Sequence, residues 1–166
     1  LGTNNLKGKA FVTSGLGGMS GAQAKALIVT GATGIIAEVD HDAIRQRIAD
    51  HYIREEDVFT DLDSMLTEFV KSKNAEEARC FVYQGNIVEV WEKLVFKHIH
   101  VELGSDQTSC HNIDHLGYCP VECTFEEAKA LMDDDKEGFD QAIKRSLRRH
   151  VDAINVLCSR GMYFWD

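Results

Sequence analysis

The sequence predicts an α/β fold, a parallel sheet with helices on both of its faces. Three observations predict it. Short apolar runs alternate with amphipathic stretches of helical length along the chain. Those runs are continuously apolar, as strands buried on both faces require. The first of them, Ala10-Phe11-Val12, leads directly into a glycine turn that opens a helix.

The elements follow in order. Residues 9–13 and 34–38 read as strands, with an amphipathic helix over 20–29 between them. Asp42 opens a second helix, with Asp40 or His41 near its cap. A third helix spans 61–70, where Leu62, Met65, Leu66, Phe69 and Val70 fall at helical spacing. Cys80-Phe81-Val82-Tyr83 reads as a buried strand, and Asn86 caps a helix carrying Val88, Trp91, Leu94 and Val95 on one face. His100-Val101-Glu102-Leu103 is a further short strand. After a long polar loop, helices cover 124–132 and 139–160, and Met162-Tyr163-Phe164-Trp165 forms the last strand. The chain stops at Asp166 directly after that strand, which reads as a cut within a longer protein.

Composition narrows the classes. A chain of 166 residues with 44% hydrophobic content suffices for one domain with a full core. Its apolar runs fall short of the ~20 residues that cross a bilayer, and Leu1-Gly2-Thr3-Asn4-Asn5 is not a signal peptide. The net charge of −9 argues against duplex nucleic acid or an anionic membrane as a partner. An anionic small ligand stays open, because local backbone dipoles decide that case. The odd count of five cysteines, without an export signal, speaks against a disulfide framework, so the chain is expected to be soluble and cytoplasmic. Cys80 and Cys158 lie in apolar surroundings and are expected as buried thiols.

The turn Gly15-Leu16-Gly17-Gly18-Met19-Ser20-Gly21 carries the chemistry. Its glycines permit close backbone approach to a phosphate, and the following helix offers free N–H groups and its positive dipole end. Glu38 follows at the end of the next apolar run, about where a carboxylate that binds an adenosine ribose is expected. Together they suggest a dinucleotide site favouring NAD over NADP, since a carboxylate repels a 2′-phosphate. The strict fingerprint has glycine where Ser20 stands, so a tight connection without a ligand is the alternative. Three segments should leave strands on one sheet edge: residues 15–20, Gln84-Gly85-Asn86, and the polar stretch 104–112.

Two other patterns compete. Ala26-Leu27-Ile28-Val29-Thr30-Gly31-Ala32-Thr33-Gly34-Ile35-Ile36-Ala37 looks like the opening of a short-chain dehydrogenase. It lacks the third glycine, and no tyrosine of the chain has a lysine four residues on. Cys110, His111, His115, Cys119 and Cys123 supply zinc-type ligands, but their spacing is not a recognised knuckle, so no metal is expected. His41, His51, His98, His100 and His150 are scattered and read as surface or hydrogen-bonded histidines.

The segments Phe11-Val12-Thr13-Ser14-Gly15-Leu16-Gly17-Gly18-Met19-Ser20-Gly21-Ala22-Gln23, Gly34-Ile35-Ile36-Ala37-Glu38-Val39-Asp40, Gly85-Asn86, Leu103-Gly104-Ser105-Asp106-Gln107-Thr108-Ser109-Cys110-His111-Asn112 and Phe164-Trp165-Asp166 closely resemble the urocanase family, in order and at fitting intervals. The wording is closest to its eukaryotic-like branch. The resemblance implies that residues 1–166 form a central, Rossmann-like NAD-binding domain with flanking segments on either side. Urocanases are cytoplasmic homodimers of histidine degradation. They add water to urocanate to give imidazolone propionate, with tightly held NAD+ as an electrophile and no net hydride transfer.

Residue by residue, the resemblance places Gly18, Met19 and Ser20 on the pyrophosphate and Glu38 on the adenosine ribose. Asn86 and Ile87 follow the middle strand, and Gln107, Thr108, Ser109, Cys110 and His111 form the second cofactor wall, followed by Tyr118 and Cys119. Asp106 and His111 are candidates for support near the nicotinamide, or for holding the loop alone. Ala43 stands where bacterial members often carry arginine, with Arg45 or Arg47 as substitutes. Ile113-Asp114-His115-Leu116-Gly117 replaces a proline-containing, glycine-rich segment, and Cys119 replaces an aromatic or aliphatic residue. The family's acid–base residues lie mainly outside this chain, so no catalytic residue is assigned within it. A non-catalytic nucleotide-binding module and a zinc-stabilised domain are the alternative readings.

Overall fold

A computed structural model of the chain describes residues 5–18, 20–106 and 116–165. Strand β1 (Ala10–Ser14) is followed by α1 (Ala22–Thr30), β2 (Thr33–Glu38), α2 (His41–Ala49), β3 (Val58–Phe59), α3 (Leu62–Asn74) and β4 (Arg79–Gln84). Then come α4 (Ile87–Phe96), β5 (Leu103–Ser105), α5 (Phe125–Asp134), α6 (Lys136–Ser159) and β6 (Tyr163–Trp165). The six strands form one sheet in the order β3-β4-β2-β1-β5-β6, and all five pairings are parallel. This is the predicted α/β class, a Rossmann-like sheet.

Period-2 alternation divides the core between two faces. Ile35, Ala37, Phe81 and Tyr83 pack with α3, α4 and α6 around Trp91 and Phe69. Ile36, Cys80 and Val82, their sequence neighbours, pack on the other face with Leu16, Leu27 and Ile44. A third cluster lies at the carboxyl edge of the sheet, where Tyr118 and Cys119 pack with Ala128 of α5 and Phe139 and Ile143 of α6.

Side-chain caps set most helix starts. Asp40 accepts from the Asp42 amide and Asp61 from the Ser64 amide, both at 2.8 Å. Asn86 and Thr124 begin full capping boxes with Glu89 and Glu127. At its C-terminal end, α1 stops at Gly31, whose φ of 79° suits only glycine without strain.

Several boundaries differ from the sequence expectations. The strand expected at 100–103 begins only at Leu103, which pairs with Phe11. Before it, the Glu102 side chain is drawn off to accept from the Ala10 amide, and Lys73 bonds the His100 carbonyl. Strand β1 extends through Ser14, because Ser14 pairs in register with Ala37. Strand β3 has only two residues and offered no apolar pattern to find. Helix α6 starts three residues early, where Asp135 accepts from the Gly138 amide at 3.0 Å. Cys80 is buried as expected, whereas Cys158 is only half-buried.

Candidate functional site

Strands β2, β3 and β4 lie on one side of β1, and β5 and β6 lie on the other. The strand order therefore reverses between β1 and β5, the place where α/β sheets bind ligands beyond their carboxyl ends. A crevice of about 240 Å³ opens beside that point, over the ends of β1, β2 and β4, with residues 116–119 as its other wall.

The glycine turn forms one side of this crevice. Gly15 has φ of 90°, a conformation strained for any residue with a Cβ, and its amide donates to the Ala37 carbonyl at 2.8 Å. The Gly17 carbonyl accepts from the Gly21 amide at 2.9 Å, which closes the turn onto α1. A Cβ placed on Gly18 meets no atom within 4 Å among the described residues. Unlike the other long helices, α1 has no side-chain cap among the described residues, and its first turn carries no acidic residue. The Gly21, Gln23 and Ala24 amides donate to the Gly17, Ser20 and Gly21 carbonyls, so what this helix start offers an anion is its positive dipole end. Ser20 is described beside the turn, and Met19 lies outside the described residues.

Glu38 faces the turn from the end of β2. Its Oε2 accepts from the Leu16 amide at 2.6 Å and its Oε1 from the Asp40 amide at 2.9 Å. Two backbone bonds fix the carboxylate and leave lone pairs for hydroxyl donors. Among the described residues no cation pairs with it. Arg45 pairs with Asp42 on the exposed face of α2. Arg47 pairs with Asp50 at 2.9 Å and lies over the Tyr52 ring, against Gly21. Ala43 lines the crevice, and neither arginine does.

Asn86 is committed to structure. Its Oδ1 accepts from the Val88 amide at 3.0 Å, and its Nδ2 donates to the Cys119 carbonyl at 2.8 Å. It therefore holds the 116–119 wall against the start of α4. Ile87 is buried and forms part of the crevice floor. Burial, with the Cys123 and Glu38 charges adding to it, pushes the Cys119 thiol up to about 12. Cys119 is thus a neutral lining residue and not a nucleophile. Gln107, Thr108, Ser109, Cys110 and His111 lie outside the described residues, as does His115 of the cysteine–histidine pattern. The described residues contain no group of three or more metal-type ligands.

Sequence reading missed a buried polar chain. Thr13 and Ser105 hydroxyls meet at 2.9 Å, and the Ser14 hydroxyl donates to Asp106 Oδ1 at 2.5 Å. Asp106 Oδ2 lies 3.4 Å from His150 Nε2, and His150 Nδ1 lies 3.5 Å from the Tyr118 hydroxyl. His150 is 3% exposed, so of the two expectations, surface or hydrogen-bonded, the second holds. The signal was present: His150 falls on the stripe Phe139, Ala142, Ile143, Ser146, Ala153 and Leu157, the buried face of α6.

The family model of the urocanase Rossmann-like domain matches residues 1–166. The chain belongs to the urocanase Rossmann-like domain family. It is 48% identical over 167 residues to the probable urocanate hydratase of Dictyostelium discoideum, covering 100% of this chain and 24% of that protein. It is 46% identical to the urocanate hydratase of Mus musculus and 44% identical to that of Homo sapiens. Each of these alignments covers 100% of this chain and 25% of the relative. The urocanase domain described here thus spans about a quarter of the length of these curated relatives.

Proposed function

We propose that this urocanase domain binds NAD+ and serves as the central cofactor domain of a urocanate hydratase, which adds water to urocanate. The observation that carries the reading is Glu38. A carboxylate fixed by two backbone amides stands at the end of β2, across from an uncapped helix start. Such a site accepts from ribose hydroxyls and donates to a pyrophosphate, while its charge repels a 2′-phosphate.

The residues present fit that group. Gly18, Ser20 and the positive dipole end of α1 would hold the pyrophosphate, and Glu38 the adenosine ribose. Ile87 and Tyr118 would supply apolar floor and wall, and Asn86 would keep that wall in place. Met19, Gln107, Thr108, Ser109, Cys110 and His111 complete the proposed set. When bound, NAD+ supplies an electrophilic nicotinamide ring. The domain's own part is to bind and orient the cofactor, while the proton-transferring groups belong to the rest of the enzyme. The reading includes a cytoplasmic homodimer acting in histidine degradation.

The test is native mass spectrometry of the purified chain, followed by calorimetric titration with NAD+ and NADP+. Bound NAD+ with clear preference over NADP+ supports the reading. Equal affinity for the two, or bound zinc with no nucleotide, would overturn it.

A further inference from the structure

We propose that His150 of α6 is a positioning residue for the cofactor crevice, because its imidazole touches Tyr118 of the crevice wall and Asp106, the partner of the lining residue Ser14. The proposal rests on the NAD+ reading above. On one side, Nε2 stands 3.4 Å from Asp106, which follows β5 directly and accepts the Ser14 hydroxyl at 2.5 Å. Ser14 is the last residue of β1 and precedes the Gly15 turn. On the other side, the imidazole stacks on Tyr118 at an interplanar angle of 27°, with the two rings 6.2 Å apart. Tyr118 belongs to the wall that Asn86 holds through Cys119. His150 thereby sets the distance between the β1–β5 strand ends and the 116–119 wall.

The choice of residue supports this role. The other residues on the buried face of α6 include Phe139, Ile143, Ala153 and Leu157, which pack as hydrophobes. Apolar residues at both 150 and 106 would fill the same space without burying polar atoms, and such replacements of a whole pair are commonly neutral or stabilising. What an apolar residue cannot do is fix Asp106, and through it the Ser14 hydroxyl, in one geometry. The four residues lie in β1, after β5, in the 116–119 segment and in α6. They are joined at the point where strand order reverses.

The experiment titrates NAD+ calorimetrically into cofactor-stripped protein at its full natural length, with thermal unfolding recorded for each variant. His150→Phe keeps the ring and its stacking but removes both nitrogens, and should weaken NAD+ binding about tenfold or more. His150→Gln keeps a donor toward Asp106 and should restore most of the affinity. Ser14→Ala should weaken binding too, and the double variant with His150→Phe should bind no worse than His150→Phe alone. A role confined to stability would lower Tm and leave the affinity of the folded protein unchanged; that result overturns the proposal. So would additive losses in the double variant. If His150→Phe does not fold, His150→Leu, alone and combined with Ser14→Ala, gives the same comparison. Absence of NAD+ binding in the wild-type protein would overturn the cofactor reading itself, and this inference with it.

Discussion

Glu38 shows how one side chain can serve both the fold and the ligand. Its carboxylate accepts from the Leu16 and Asp40 amides, and so ties the glycine turn to the start of α2. Replacing it with alanine should cost NAD+ binding about 1–3 kcal/mol, the scale of a polar partner left unsatisfied. Calorimetry would check this, and unchanged affinity would remove Glu38 from the site. The cysteines behave oppositely. Burial pushes Cys80 up to about 12, with the Asp57 charge adding to it, and Cys119 stands at about 12 as well. In native protein at pH 8, iodoacetamide should therefore leave both unmodified, and both should react once the chain is unfolded. Peptide mass spectrometry reads this directly; rapid native labelling of Cys119 would contradict its burial.

Local order was the legible part of the elements. The glycine turn, the acid ending β2 and the Asn86 cap each depend on neighbours within a few residues, and each is found where its motif stands. The start of β5 was not legible, because it depends on Glu102 reaching the Ala10 amide from 92 positions away. His150 was hidden for the same reason: a histidine's neighbours in sequence do not reveal a partner such as Asp106. Glu102 also carries the clearest pH effect. Burial pushes its carboxyl up, but the Ala10 amide, Lys73 and His100 outweigh that and hold it below its ordinary 4.5. The stability it contributes is therefore full above that ordinary value and is lost as pH falls through the depressed one. Glu102→Gln should be less stable than wild type at pH 7, with the gap closing below about pH 4.5. Denaturant unfolding at several pH values tests it, and a gap independent of pH would refute it.

For the whole molecule, the crevice is a property of assembled layers and of no single segment. A ligand that binds only the folded state adds its binding free energy to stability, about 2.7 kcal/mol at a hundred times Kd. For a chain of this size that corresponds to a rise in Tm of roughly 5–10 °C with saturating NAD+. Scanning fluorimetry should show it, and an unshifted Tm at saturating cofactor would count against the crevice. The Ser14–Asp106 bond has a further consequence, in time. Its two residues are 92 positions apart, and the imidazole behind them comes 44 positions later still. During synthesis, β1, its glycine turn and β2 leave the ribosome long before Asp106 and His150 exist. Early in its life the chain thus carries a phosphate-binding motif with half a cleft around it. Cofactor capture has to wait for the closing of long loops, so a bound nucleotide marks a domain that has finished folding.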